Sequence, residues 1–184
     1  LARANGIKVL VHTAAYALSE PFEELCQSVD AINVDLKAFS EQFYRNVTGG
    51  ELQPVLNNIV RVRRHSHVWL ELTNLVIPGY NDNDSEFAAM CEWIANNCGV
   101  DTPLHVAKFF PQYKMRNLPP TPNDTLRRLR KIAFRVGLRY AYLGNMPGDP
   151  GESTYCPKCG AKVIARNNYE VSFPNFDPRT GVCT

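Results

Sequence analysis

Cys156-Pro157-Lys158-Cys159-Gly160 is the stretch whose residue types and spacing are most specific for chemistry. Two thiols three positions apart share one tight turn, and the glycine behind them lets the backbone curl toward a metal. Cys183 lies one strand-pair length downstream and would open a second knuckle, with a fourth ligand expected just beyond Thr184. A tetrahedral set of thiolates serves zinc and, in rubredoxin-like sites, iron, so the knuckle predicts either metal. The alternative is an unmetallated turn with two incidental thiols.

Asn33-Val34-Asp35-Leu36-Lys37 places a carboxylate and an ammonium two residues apart. On a strand they project to the same side. They are either an ion pair inside a polar barrel or groups that face a ligand. His105 interrupts the apolar run Pro103-Leu104-His105-Val106-Ala107 and would point away from Leu104 and Val106. It is either a hydrogen-bonded core histidine or a ligand contact. His12, next to Thr13 at the end of the first strand, has the same two readings. His65 and His67 follow a helix and read as surface. Cys26, Cys91 and Cys98 lie in helical patterns and read as small packed hydrophobes.

The elements that carry these residues alternate. Strands are expected at 7–11, 31–37, 68–77, 104–109 and 138–143 from short apolar runs. Between them, Ser19 is expected to cap a helix with Pro21 in its first turn. Further helices are expected at 51–64, 87–97 and 124–136, the last two stopped by Gly99 and Gly137. This rhythm implies right-handed crossovers and a parallel sheet. One strand face carries Asn33, Asp35 and Lys37, and another carries Trp69, Glu71 and Thr73. An open sheet covered by helices would be apolar on both faces. The pattern predicts α/β architecture in the form of a partial (β/α) barrel. Residues 1–150 form the barrel part and residues 151–184 a truncated, zinc-ribbon-like Cys-knuckle appendix. Sites in such barrels gather at the C-terminal strand ends, where Thr13, Asp35 and Lys37 fall.

The chain has 184 residues and a formal net charge of +2, so no nucleic-acid partner follows from it. The basic clusters Arg61, Arg63, Arg64 and Arg127, Arg128, Arg130, Lys131 read as solvated helix faces. No apolar run is long enough to span a membrane, and no signal-peptide pattern opens the sequence. Six scattered cysteines fit a reducing, cytoplasmic compartment. Leu1–Gly6 reads as the last turn of a helix, and both ends read as cuts through structure.

Five segments in series resemble one family: DAINVDLK at 30–37, FYRNVTGG at 43–50, LVIPGYND at 75–82, PLHVAKFFPQYKM at 103–115 and TYCPKCG at 154–160. Together they are similar to the AmmeMemoRadiSam system radical S-adenosylmethionine (SAM) enzymes, relatives of pyruvate formate-lyase activating enzyme. The resemblance implies a partial barrel of the radical SAM type and a 4Fe-4S cluster on a C-x3-C-x2-C loop. It implies reductive cleavage of SAM to a 5′-deoxyadenosyl radical, which takes a hydrogen from a partner such as a glycyl-radical protein. An electron donor such as flavodoxin or ferredoxin is implied as well. Residue by residue, His105 matches the histidine that contacts the adenosyl group. Asp35 and Lys37 match the strand end beside the methionine moiety, and Thr13 matches the threonine of a T-N-G turn. That turn reads Thr13-Ala14-Ala15 here, without its glycine, and Phe110 stands where relatives carry histidine.

No C-x3-C-x2-C spacing occurs among the six cysteines, so the cluster ligands and the glycine-rich methionine-binding turn are expected before Leu1. The sequence thus reads as the C-terminal part of such an enzyme, inactive by itself. A second reading is a non-catalytic β/α scaffold whose knuckle makes it a zinc-dependent interaction module. A third, a phosphate-binding barrel, lacks a glycine-rich loop at a strand-to-helix junction.

Overall fold

The computed structural model describes residues 2–168 and 170–183. Leu1, in the expected opening helical turn, and Thr184, in the expected appendix, lie outside the described residues. Five parallel strands form one sheet in simple sequence order: β1 (Leu10–Thr13), β2 (Ala31–Asp35), β3 (Trp69–Val76), β4 (Leu104–Lys108) and β5 (Ala141–Gly144). A doubly wound sheet reverses its order at a switch point. Here the order never reverses. Right-handed crossovers therefore lay every connecting helix on the same side, which is barrel topology.

The connecting helices are α1 (Ser19–Ser28), the short α2 (Glu41–Phe43), α3 (Leu52–Val62), α4 (Asp84–Asn97) and α5 (Asn123–Val136). In α5, Leu126, Leu129, Ile132 and Ala133 recur at three- and four-residue spacing and are buried against the sheet. Gly137, at φ 110, ends it, and its N–H donates to the carbonyls of Ala133 and Phe134. Across the helix side, Ile32, Val34, Leu70, Leu72, Leu104 and Val106 are buried while the residues between them are not. The alternation expected for β2 and β3 is thus observed. Cys26, Cys91 and Cys98 are buried in this layer, and burial pushes the Cys91 and Cys98 thiols up to about 12.

Several boundaries differ from expectation, each for a physical reason. The first strand is Leu10–Thr13 rather than 7–11; among the described residues it pairs only with β2, and Ile7 and Leu10 are exposed. Ser19 is the first helical residue of α1, and Leu18 at the cap makes no side-chain bond. Helix α4 starts three residues early because the Asn83 side chain accepts from the N–H groups of Ser85 and Glu86. Residues 44–48 form a single π-type turn that continues α2 and closes on Gly49 at φ 73. The opening segment is a 3₁₀ turn at Arg3–Asn5 followed by Gly6 at φ 72. His65 is mostly covered and lies 2.8 Å from Glu23, and Arg130 is half-buried and donates to the Ala141 carbonyl.

After β5 the chain turns over a 3₁₀ segment at Pro150–Glu152. Gly151 touches the barrel so closely that a Cβ there would lie 2.6 Å from Leu143 Cγ. Arg127 on α5 donates to Asp149 at 2.8 Å. Beyond the turn, β6 (Thr154–Tyr155), β7 (Lys162–Asn167) and β8 (Glu170–Ser172) form a small antiparallel sheet, and β9 (Phe176–Asp177) pairs with β10 (Val182–Cys183). None of the described helices is long and apolar enough to cross a membrane.

Candidate functional site

The face of the sheet away from the helices carries two polar levels. Strand register puts His12, Asn33 and Glu71 on one level, and Asp35, Thr73, His105 and Tyr142 on the next. The bonds run diagonally between levels. His12 Nε2 lies 3.1 Å from Asp35 Oδ1, Thr73 Oγ1 donates to Asn33 Oδ1 at 2.8 Å, and His105 Nε2 lies 2.6 Å from Glu71 Oε2. Trp69 Nε1 donates to the other oxygen of Glu71 at 2.9 Å. Lys37 Nζ is 2.8 Å from Asp35 Oδ2. The hydrogen bond from His105 holds the Glu71 carboxyl below its ordinary range, against the opposing effect of burial.

The His105 ring stacks on Tyr142, with centroids 5.3 Å apart and planes 28° apart. Tyr142 in turn meets the appendix. The Arg166 guanidinium of β7 lies 5.4 Å from its ring centre, and the Tyr142 hydroxyl is 3.1 Å from Thr154 Oγ1. The side chains remain about one third exposed at His105 (31%) and Glu71 (32%), so a ligand can reach both. The face therefore offers two carboxylates, one ammonium and a flat ring stack to a zwitterionic or cationic ligand with an aromatic end.

Buried amides fix the loops at the C-terminal strand ends. Asn58 Nδ2 donates to the carbonyls of Ala15 and Ala17, both at 2.9 Å. Asn74 Nδ2 donates to Leu36 and Lys37, and Asn81 Nδ2 to Lys37 and Leu75. Asn81 Oδ1 accepts from Ile77 N–H at 2.6 Å. Two amides thus hold the backbone of Lys37, whose N–H donates to the Tyr44 hydroxyl at 3.2 Å. Burial pushes that hydroxyl up to about 12.

In the appendix, Cys156, Cys159 and Cys183 converge, with all three Sγ atoms within 4.8 Å of one another. Backbone N–H groups of Cys159 and Lys158 point at the Cys156 sulfur and, with the neighbouring thiols, hold it down at about 7. Gly160, at φ 74, closes the turn through its N–H to the Cys156 carbonyl at 2.9 Å.

The structure brings Asp35, Lys37 and His105 to one face and the three cysteines to one point. Thr13 is at the same strand end, but its register partner is Val34, so it lies on the helix side. There its Oγ1 accepts from Ala15 N–H at 3.0 Å. Ala15 adopts φ 51, so the tight turn persists without glycine, at a cost of about 1 kcal/mol. Tyr142 and Arg166 were not singled out from sequence. Tyr142 could have been, since it alternates with buried Ala141 and Leu143; Arg166 carries no local signal.

No protein-family model matches the chain. An uncharacterized protein of Methanocaldococcus jannaschii is 39% identical over 183 residues, covering 100% of this chain and 54% of its own length. The (2S)-3-sulfopropanediol sulfolyase activating enzyme of Bilophila wadsworthia is 24% identical over 100 residues, covering 54% of this chain and 33% of that protein. The chain thus spans about half or less of the curated relatives it matches. A domain of pyruvate-formate lyase-activating enzyme from Bacteroides vulgatus superposes with TM-score 0.66 at 18% identity, over 78% of this chain and 84% of that one. A radical SAM methyltransferase from Sphaerobacter thermophilus gives 0.62 at 12% identity, over 80% and 46%. SuiB of Streptococcus suis, solved bound to S-adenosylmethionine, gives 0.60 at 11%, over 78% and 33%. The fold is the partial β/α barrel of the radical SAM enzymes. The chain is similar in fold to a domain of a pyruvate-formate lyase-activating enzyme and in sequence to a sulfolyase activating enzyme.

Proposed function

We propose that this chain is the SAM-holding part of a radical SAM enzyme of the activating type. The observation that carries the reading is the polar row across the sheet, in which Asp35, Lys37, Glu71, His105 and Tyr142 face one open side. SAM has an aromatic end, a sulfonium and an amino-acid end. The His105–Tyr142 stack matches the adenine, and the Asp35–Lys37 pair matches the ammonium and carboxylate of the methionine moiety. These residues fit the cofactor by chemical type and by placement.

The 4Fe-4S cluster is a different matter. Cys26, Cys91 and Cys98 are buried in the helix layer, and the other three cysteines lie in the appendix. No cysteine of this chain faces the polar row as a cluster ligand, so the reading assigns the cluster ligands to sequence outside these 184 residues. When bound, the cluster supplies the electron that splits SAM into methionine and a 5′-deoxyadenosyl radical. The residues described here bind, orient and shield. His105 is fixed by Glu71 on one side and Tyr142 on the other, and presents its ring from a strand, a rigid element. Orientation of this kind accounts for large rate factors. The likeness to activating enzymes extends the reading to a partner protein as hydrogen donor and to a protein electron donor.

The test is equilibrium dialysis of SAM against the complete reading frame that contains these residues, reconstituted anaerobically. His105→Ala is expected to weaken binding by roughly tenfold or more, a loss of about 1.4 kcal/mol, with cluster content unchanged. Equal affinity in the variant and the parent would overturn the assignment. The interaction-module reading accounts for the knuckle but leaves the polar row without a use.

A further inference from the structure

We propose that Cys156, Cys159 and Cys183 bind one zinc ion as three thiolate ligands, and that this ion fastens the last hairpin of the appendix. This goes beyond the reading of the polar face and does not depend on it.

The first support is geometry. Tetrahedral zinc with Zn–S bonds of about 2.3 Å sets neighbouring sulfurs about 3.8 Å apart. Cys183 Sγ lies 3.5 Å from Cys156 Sγ and 3.9 Å from Cys159 Sγ. A disulfide joins two sulfurs at about 2 Å and would leave the third thiol over. Three thiols drawn to one point instead define a face of a tetrahedron, open to a fourth donor from outside the described residues or to water.

The second support is how the residues are brought there. Cys156 and Cys159 sit on one glycine turn, and Cys183 arrives from a separate hairpin 24 residues further on. That hairpin has its own stop, with Gly181 at φ 72 donating to the Asp177 carbonyl at 2.9 Å. Two independent turns aim their sulfurs at one centre, as paired knuckles do in thiolate zinc sites.

The third support is how little else fastens this segment among the described residues. Among the described residues from 157 on, Val163 is the only buried hydrophobic one. Strand β8 is fully exposed, and β9 pairs with β10 over two residues only. Asn175 Nδ2 to the Lys162 carbonyl, at 3.1 Å, ties the β9 side to β7. A unit this small buries too little apolar surface to order itself, and a metal is a standard substitute for a core. The three thiolates satisfy zinc whatever the fourth donor is, thiolate, nitrogen, oxygen or water, whereas a rubredoxin-like iron site requires that donor to be a thiolate as well.

The 184-residue chain, stripped with chelator under reducing conditions, is titrated with cobalt(II) and then zinc. The expected result is a single 1:1 site with the visible bands of tetrahedral cobalt and a thiolate charge-transfer band, both displaced by zinc. Cys183→Ser is expected to weaken zinc binding more than about 100-fold, while Lys158→Ala leaves it unchanged. A readout on the unaltered chain covers variants that fail to fold. Zinc should protect Cys156, Cys159 and Cys183 from alkylation, as mapped by mass spectrometry, and slow hydrogen exchange at residues 176–183. Absence of a 1:1 site, alkylation of Cys183 at the apo rate in saturating zinc, or iron in place of zinc in the chain as purified would each overturn the proposal.

Discussion

Replacing Asn81 with alanine should destabilise the barrel by about 3 kcal/mol, far more than an asparagine in a loop ordinarily would. Asn81 is 3% exposed and makes three hydrogen bonds, at 2.6 Å to the Lys37 carbonyl, 2.9 Å to the Leu75 carbonyl and 2.6 Å from the Ile77 N–H. Each is worth about 1 kcal/mol net, and alanine leaves the Ile77 N–H without this acceptor. The sum is about 3 kcal/mol, a factor of roughly 150 in the folding equilibrium. With an m-value of about 2.5 kcal/mol/M, the urea midpoint should fall by about 1.2 M. Gln53→Ala is the control, because Gln53 donates to Asn57 on an exposed helix face, and its effect should stay within about 0.5 kcal/mol. Far-ultraviolet circular dichroism follows both. A midpoint shift under about 0.3 M for Asn81→Ala, with m unchanged, would refute the claim that buried amides hold the strand-end loops.

The Glu71 carboxyl is held below its ordinary range in the folded state. Its contribution is therefore present above the unfolded carboxylate pKa and is lost as pH falls through the folded value. Stability measured by urea midpoints should drop on acidification below about pH 4, and Glu71→Gln should flatten that limb; an unchanged limb would remove the His105–Glu71 bond from the account. Gly151→Ala places a methyl against the buried Leu143 side chain and should cost about 1–3 kcal/mol by the same assay, with no effect contradicting the tight docking of the linker on β5.

The β/α rhythm was legible because its punctuation is local. Gly99 and Gly137 end helices at the expected places, and the alternation on β2 and β3 is by itself enough to indicate a polar face. The cap of α4 is also written locally, in Asn83 followed by Glu86. The first strand was misplaced because Ile7 and Val9 look like core while the strand that forms there has only one neighbour. The π-type turn at 44–48 starts at Tyr44, whose hydroxyl accepts from the Lys37 N–H, a contact seven residues apart that no period reveals. Asp35, Lys37 and His105 stand out in the sequence because their types interrupt apolar runs. Thr13 lies at the expected strand end, and which side it faces follows from its register with Val34, which sequence alone does not give. Tyr142 and Arg166 enter the site through tertiary register, and Arg166 crosses from the appendix to the barrel, which sequence spacing does not encode.

The most direct measurement is the yield of 5′-deoxyadenosine from SAM and a chemical reductant, made on the reconstituted complete reading frame beside its His105→Ala and Asp35→Asn variants. The account predicts product from the parent and a loss of roughly tenfold or more in each variant, with iron and sulfide content unchanged. Product formed equally well by all three proteins, or none from a parent with a full cluster, would contradict the claim that this face holds SAM.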